Sequence, residues 1–416
     1  MRELELYVHI PFCIRKCAYC DFLSGPADEA VREQYVDALV REIRSYRKWF
    51  ADYRVSTIFT GGGTPSILSP GQIQDIFAAL RENFTVDTGA EITIEANPGT
   101  VTEEKIRAWK AAGVNRVSIG LQSAKDEELR MLGRIHDYRQ FLDTWEMVRG
   151  AGIDNANIDL IFAIPGQTPK SWEETLRKTA ELSPEHLSVY SLIIEEGTPF
   201  YDMYGEASEC MRSGNGEEEK EATADQREHE GESRAHVYKP PAGIRIPRLP
   251  DEETERRMYE DTAAILQEYG YSRYEISNYA KPGCECRHNM GYWQRKEYLG
   301  IGLGASSLIR NTRFCRSFDL MGYLSGAGSA ENFWEEREEL TVKDEMEEFM
   351  FLGLRMMRGV SKSEFLRLFG IPMDQVYGEP LYKMEKNGLL EITEDRVRLT
   401  ESGIHISNYV FAQFLF

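Results

Sequence analysis

The sequence predicts an α/β protein: a partial (β/α)6 barrel followed by a smaller α+β, winged-helix-like domain. Three observations carry this prediction. Up to about residue 200, short apolar runs alternate with helical periodicity, the pattern of a parallel sheet with helical crossovers. Residues suited to chemistry follow several of the predicted strands, as they do at the carboxyl face of a (β/α) barrel. Beyond residue 340 the pattern changes to helices closed by a hairpin signal. An open doubly wound sheet fits the same six units; polar residues gathered at several strand ends favour the partial barrel.

Strands are expected over 4–10, 55–60, 91–96, 116–119, 156–163 and 186–192. A helix near 28–50 places Val31, Tyr35, Leu39, Ile43 and Tyr46 close to a 3.6-residue period. Ser69-Pro70-Gly71-Gln72 opens the next helix with an N-cap, a first-turn proline and a capping-box glutamine. Thr100-Val101-Thr102-Glu103 carries a similar capping-box signal for the third. A helix resumes near 251–269, and the segment from there through Ser307 is rich in glycine and aromatic residues. Near the end, a helix with Met346, Phe349, Met350, Leu352 and Leu354 precedes a hairpin candidate at Glu394-Asp395.

These signals divide the chain into the barrel at 1–204, an insertion at 205–248, a middle region at 249–340 that completes the core, and the winged-helix-like domain at 341–416. From Glu206 to Glu232 there are ten acidic and four basic side chains, His229 included, with few apolar anchors. Burial there cannot offset the entropy of ordering, so the stretch reads as an acidic, disordered insertion. An acidic partner-binding tail has the same composition.

With 416 residues, 42% of them hydrophobic, the chain can build a large core beside a smaller one. A net charge of -20 weighs against non-specific nucleic-acid binding, because phosphate repels such a surface. Seven cysteines, three crowded near the start, suit a reducing compartment better than a disulfide framework. The first residues enter a strand without a basic leader, and no window approaches the roughly 18 apolar residues of a membrane span. A cytoplasmic location is expected.

Cys13, Cys17 and Cys20 form C-x3-C-x2-C directly after the first strand. Three thiolates can hold three corners of a [4Fe-4S] cube and leave the fourth iron open. The competing assignments are a zinc knuckle one ligand short and a chance group of buried thiols. His9 could complete a zinc site, but strand alternation fixes its direction. After the second strand comes Thr60-Gly61-Gly62-Gly63-Thr64-Pro65. A glycine triplet allows close backbone approach to a ligand, although a tight turn without function is its default meaning. The P-loop and dinucleotide fingerprints do not fit it.

Together these motifs resemble the radical S-adenosylmethionine superfamily. In that family the three cysteines bind the cluster, and its open iron chelates the amino and carboxylate groups of S-adenosyl-L-methionine. Tyr7-Val8-His9-Ile10-Pro11-Phe12-Cys13, Gly61-Gly62-Gly63-Thr64-Pro65, Ser118-Ile119-Gly120-Leu121-Gln122-Ser123 and Asn157-Ile158-Asp159-Leu160-Ile161 further resemble its coproporphyrinogen dehydrogenase group, over nearly the whole chain apart from the insertion. The resemblance implies that Cys13, Cys17 and Cys20 are the metal ligands and that Tyr7 lies against the cluster or cofactor. It implies that Gly62, Gly63 and Thr64 approach the amino end of the cofactor, which Glu95 and Gln122 also contact. Arg134 would pair with the cofactor carboxylate and Asp159 would hold the ribose hydroxyls. Arginine forks suit carboxylates, and an aspartate accepts two hydroxyl bonds. Asp137 and Glu128 are structural competitors for Arg134, and a structural hydrogen bond competes for Asp159.

Within that group the chain is similar to the haem-chaperone branch. Phe22 stands where the dehydrogenase pattern has a fourth cysteine, and only six residues precede Tyr7. His288-Asn289-Met290-Gly291-Tyr292-Trp293 matches an HNxxYW motif associated with haem binding in this branch. His288 would ligate haem iron while Tyr292 and Trp293 flank the porphyrin; alternatively, His288 orients a loop and the aromatics fill an interdomain core. Cys284 and Cys286 are further candidate ligands. The sequence departs from the family at Ser306, often histidine, at Ala124, often phenylalanine, and at Ala163, often glycine. The implied partners are haem-requiring acceptor proteins, an acceptor at a membrane among them, and a low-potential electron donor; a homodimer is compatible and nucleic acid is not expected. The rival functions are oxidative decarboxylation of coproporphyrinogen III and a structural iron-sulfur protein that docks nucleic acid.

Overall fold

Alternation in β1 (Arg2–Ile10) sorts its side chains onto two faces. Leu4, Leu6, Val8 and Ile10 are fully buried among the residues of the main hydrophobic core. There they share a layer with Tyr35, Leu39 and Ile43 of α1 (Glu29–Ser45), the helix predicted from those spacings. Each aliphatic side chain so buried contributes about 1.5–3 kcal/mol. Glu5, Tyr7 and His9 point the other way.

In the computed structural model, which describes residues 1–212, 247–326 and 334–416, five more strands lie in order beside β1. They are β2 (Tyr53–Gly62), β3 (Val86–Ala96), β4 (Arg116–Gln122), β5 (Asn155–Phe162) and β6 (His186–Ser191), all parallel. The crossovers are α2 (Pro70–Asn83), α3 (Glu103–Ala111), the pair α4 (Asp126–Met131) and α5 (Tyr138–Gly150), and α6 (Pro169–Glu181). The capping box of α2 forms as predicted: Ser69 accepts from Gln72 N–H, and Gln72 returns the bond to Ser69. The box expected at 100–103 does not form. Thr102 caps α3 by accepting from Lys105 N–H, and Thr100 instead donates to the Asn97 carbonyl. Three residues beyond Thr102 stands a lysine, which cannot complete the box.

α7 (Pro199–Arg212) begins where Thr198 Oγ1 accepts from Tyr201 N–H, and it buries Phe200 and Tyr204 beside Ala18 and Leu132. The boundary expected at 204 therefore falls inside a helix, because its anchors lie upstream of the charge-rich stretch. Most of the predicted insertion lies outside the described residues.

The middle region extends both sheet edges. After α8 (Glu252–Glu268), β7 (Ser272–Glu275) and β8 (Asn278–Ala280) add antiparallel to β6. After α9 (Arg287–Trp293), β9 (Tyr298–Ile301) pairs parallel with β1. β10 (Ser306–Ile309) and β11 (Thr312–Arg316) follow antiparallel; after α10 (Leu320–Gly326), β12 (Trp334–Glu339) ends that edge. The order is β12-β11-β10-β9-β1-β2-β3-β4-β5-β6-β8-β7, with β12 and β7 as its edges among the described residues. The architecture is the predicted partial barrel with α/β crossovers.

A separate core from Met346 to Phe414 holds the C-terminal domain together. It comprises α11 (Val342–Gly353), β13 (Val360–Ser361), α12 (Lys362–Phe369), α13 (Met373–Lys386), β14 (Leu390–Ile392), β15 (Arg396–Leu399), α14 (Glu401–His405) and α15 (Ser407–Ala412). Its three strands run antiparallel in the order β13-β15-β14, with the predicted hairpin between β14 and β15. Among the described residues no helix is long and apolar enough to cross a membrane.

Candidate functional site

The inward face of the barrel is polar. Register places Glu5 beside Thr57 and Thr57 beside Glu91, while Glu95 neighbours Ser118 and Asp159 neighbours Gly120 and Ser188. At the carboxyl end of the strands this face opens into a cavity of about 460 Å³. Cys13, Cys17 and Cys20 line it. Their loop is pinned by Cys13 N–H to the Gly25 carbonyl at 3.0 Å and Ala18 N–H to the Leu132 carbonyl at 3.0 Å. No fourth cysteine and no histidine lines the cavity among the described residues. His9 is engaged at both ring nitrogens, by the Tyr7 hydroxyl at 3.0 Å and the Leu23 carbonyl at 2.9 Å. A cluster held by the three thiols would keep one iron free of protein ligands, so the donor set fits a [4Fe-4S] cube. Burial pushes the Cys13 and Cys20 thiols up, so metal binding there must displace protons.

The glycine turn forms the next wall. Gly62 has φ +105°, which only glycine adopts freely, and a Cβ there would collide with the His9 ring. At Gly63 a Cβ would stand 2.6 Å from the Phe12 carbonyl oxygen. Gly62 N–H donates to Glu95 Oε2 at 3.1 Å. Burial, then the neighbouring Asp159, pushes Glu95 up to about 8. A cationic group arriving beside it would draw off that proton.

Arg134 reaches across the floor. Its guanidinium donates to Asn97 Oδ1 at 2.7 Å, to the Gly120 carbonyl at 2.7 Å and to Cys17 Sγ at 3.7 Å. Neither predicted competitor occupies it: Asp137 caps α5, and Glu128 accepts from Ser123, Gln167 and Ser171. Its hydrogen-bond partners among the described residues include no carboxylate, which leaves a cation facing the cavity for an anionic ligand. Asp159 also lines the cavity and already accepts from Ser118 Oγ at 3.0 Å and Asn157 Nδ2 at 2.7 Å. Burial raises its pKa, and those two donors oppose the shift. A carboxylate has capacity for further donors, so the structural bond and a ligand role coexist.

Ten of the residues singled out from the sequence therefore line one cavity: the three cysteines, Gly62, Gly63, Thr64, Glu95, Gln122, Arg134 and Asp159. Gln122 does so with φ +74°, a strained conformation for a residue with a side chain. Tyr7 is not in the lining; its ring stacks on Phe59 at 6.4 Å. Nor are His288, Tyr292 and Trp293. His288 is buried inside the barrel, with Nδ1 2.7 Å from Thr57 Oγ1 and Nε2 3.0 Å from the Tyr292 hydroxyl. Burial, then Arg116, lowers it to about 3, so it is neutral. Tyr292 packs edge-on against Tyr298, and Trp293 lies under the Arg355 guanidinium of the C-terminal domain at 4.3 Å. In these contacts His288 orients a buried turn and Trp293 packs against the C-terminal domain.

Asn97, Ser118 and Tyr190 also line the cavity and were not picked out as site residues. Asn97 stands in the Glu95-Ala96-Asn97 run that ends β3, a signal in plain view; Tyr190 shows only as an alternation partner of Ser188. Of the family departures, Ala163 sits at φ +60°, where glycine is unstrained, while Ser306 is exposed and Ala124 buried.

A profile of the Radical SAM superfamily matches residues 7–179, and one of the HemN C-terminal domain matches residues 340–406. The "Heme chaperone HemW" of Lactococcus lactis is 34% identical, across 98% of this chain and 96% of that protein. The protein of the same name from Escherichia coli is 32% identical, across 99% and 98%. Among solved structures, the coproporphyrinogen III oxidase HemN of Escherichia coli, described as a radical SAM enzyme, superposes with a TM-score of 0.80 at 25% identity, covering 99% of this chain and 90% of that one.

Proposed function

The chain belongs to the radical SAM superfamily, in the HemN-like group, and on that premise we propose that it is a haem chaperone holding a [4Fe-4S] cluster and S-adenosyl-L-methionine. Cys13, Cys17 and Cys20 would hold the cluster, which supplies an electron for cleaving the cofactor's sulfonium bond when that chemistry operates. The observation that supports this cofactor pair is one cavity lined by three cysteines, by Arg134 with no carboxylate partner among the described residues, and by Asp159. Arg134 would take the cofactor carboxylate, Gly62, Gly63 and Glu95 its amino end, and Asp159 its ribose, with Gln122 beside them. The chaperone assignment is supported by likeness to HemW over nearly the full chain and by Phe22 in place of a fourth cysteine. Haem-requiring proteins and a low-potential electron donor are the proposed partners.

Protonation of Glu95 should be visible in cofactor binding. Below about pH 8 the free site holds a proton that a bound amino group displaces, so affinity for S-adenosylmethionine rises with pH and levels off above 8. Titrations from pH 6 to 9 are expected to show a steeper rise in the native chain than in Glu95→Gln. Equal slopes would remove Glu95 from the amino-end contact.

For the cargo, we assign haem contact to the 288–293 segment, with His288 positioning it; ligation by His288 would need one of its two ring contacts broken. Haem-loaded His288→Ala is then expected to keep the native axial-ligand spectrum, and loss of a histidine signature would make His288 the ligand. Function is tested by mixing haem-loaded protein with a haem-free acceptor enzyme and following acceptor activity. Activation is the expected result. No transfer, together with formation of protoporphyrinogen from coproporphyrinogen III, would establish the dehydrogenase instead.

A further inference from the structure

A continuous line of hydrogen bonds runs through the barrel from the cavity to the amino end of α9. It begins at Asp159. Asn157, two residues earlier on the same face of β5, donates from Nδ2 to Asp159 Oδ1 and to Ser118 Oγ, each at 2.7 Å. Its Oδ1 accepts from Ser188 Oγ at 3.2 Å and lies 2.6 Å from His186 Nδ1. His186 Nε2 is 2.8 Å from the Tyr274 hydroxyl, which accepts the backbone N–H of Cys286 at 3.3 Å. Cys286 is the N-cap residue of α9 and has no side-chain cap of its own. Glu91 fastens the same turn from β3, accepting from the N–H groups of Arg287 and His288 at 3.1 Å. Asn157, His186, Cys286 and His288 are buried and Tyr274 is half-buried, so most of the line runs away from water.

We infer that His186 is a positioning residue whose tautomer transmits the state of the cavity acid Asp159 to the α9 segment. The donor and acceptor inventory dictates the direction of every bond. An ionised Asp159 only accepts, so Asn157 turns its amide nitrogen to it and its carbonyl to His186. That carbonyl only accepts, so the single proton of the neutral imidazole sits on Nδ1. Nε2 then accepts from the Tyr274 hydroxyl, whose lone pairs stay free for Cys286 N–H. If Asp159 carries a proton, Asn157 can turn over and His186 takes the Nε2–H form. Nε2–H then competes for the Tyr274 oxygen, and the Tyr274 hydroxyl hydrogen loses its acceptor. The amide orientation and the tautomer form one element with two arrangements. Burial, then Arg116, keep His186 well below its ordinary range, so it stays neutral in both. Arg116, Glu95 and Tyr190 bear on Asp159 from β4, β3 and β6.

Ribose hydroxyls donating to Asp159 favour its ionised form, so occupancy of the cavity selects the arrangement that secures α9. This rests on the S-adenosylmethionine reading proposed above and gives that site a regulatory output on the 288–293 segment. The test uses cluster-reconstituted full-length protein titrated with S-adenosylmethionine. Ring-nitrogen NMR should report His186 moving fully to the Nδ1–H form, and amide exchange over 286–290 should slow by about fivefold or more, the low end of measured couplings. Tyr274→Phe keeps the ring but cuts the line; it is expected to bind the cofactor without the slowing. His186→Gln, which has no tautomers, serves if that variant misfolds. Failure to bind S-adenosylmethionine would overturn the cofactor reading and the relay with it. Binding with an unchanged tautomer and unchanged exchange, or slowing retained in Tyr274→Phe, would overturn the relay alone.

Discussion

Cys17→Ala is expected to reduce iron from about four per chain to background in anaerobically reconstituted protein, without unfolding the barrel. Cys17 sits mid-loop on the cavity wall, half-buried, and receives the Arg134 guanidinium at 3.7 Å. Two thiols cannot retain a cube in a lining that offers no further cysteine and no histidine among the described residues. The loop itself is held by neighbours of Cys17: Ala18 donates its N–H to Leu132 and packs with Leu132, Ile164 and Phe200. Iron and sulfide analysis together with circular dichroism checks both halves of the expectation. Cys284→Ala, outside the cavity, is the control. Full iron content in Cys17→Ala would sink the ligand assignment and the cofactor reading built on it.

Glu5→Gln is expected to stabilise the protein by about 4 kcal/mol at pH 8.5 and by only about 1 kcal/mol at pH 5.5. Glu5 is fully buried on the inward face of β1, with neither carboxyl oxygen hydrogen-bonded. It lies 3.8 Å from His288 Nδ1 and directly against Gly291, where any Cβ would strike its carboxyl group. Burial raises it from 4.5 to about 8; Lys296 and Arg287 oppose that shift, while Glu3 and Glu91 add to it. Between those two values the folded chain keeps a proton that the unfolded chain has released. Unfolding free energy therefore falls as pH rises through this window, by up to ~1.4 kcal/mol per unit and about 3–5 kcal/mol in all. Above pH 8 the folded carboxyl ionises too, and the loss is complete. Glutamine keeps the shape and cannot ionise, so the slope disappears. Denaturant midpoints at both pH values measure it, and equal gains at each would show that Glu5 titrates as an ordinary carboxyl.

The six parallel strands were legible because each is a short apolar run bounded by turn residues, and α1 because its apolar positions keep a helical period. The cavity was largely legible for a related reason. Its cysteines, glycines and Glu95 end successive strands, and strand ends in a parallel barrel share one face. The edge strands β7 to β11 were missed because they run only three to five residues, too short to carry a period. The box at 100–103 failed because a capping signal cannot tell which of two threonines starts the helix.

By itself, the sequence determined the order of the elements, the thiol spacing and the turn that only glycines can make, since these depend on neighbours along the chain. Tertiary structure decided where His288 went, what Arg134 lacked, and that Asn157 would meet His186 and Tyr274. Those facts depend on strand register and on how far the sheet curls, which bring together side chains distant in sequence, 231 residues apart for Thr57 and His288. Local propensity carries no information about such meetings; the burial of polar groups that must find partners inside the barrel does.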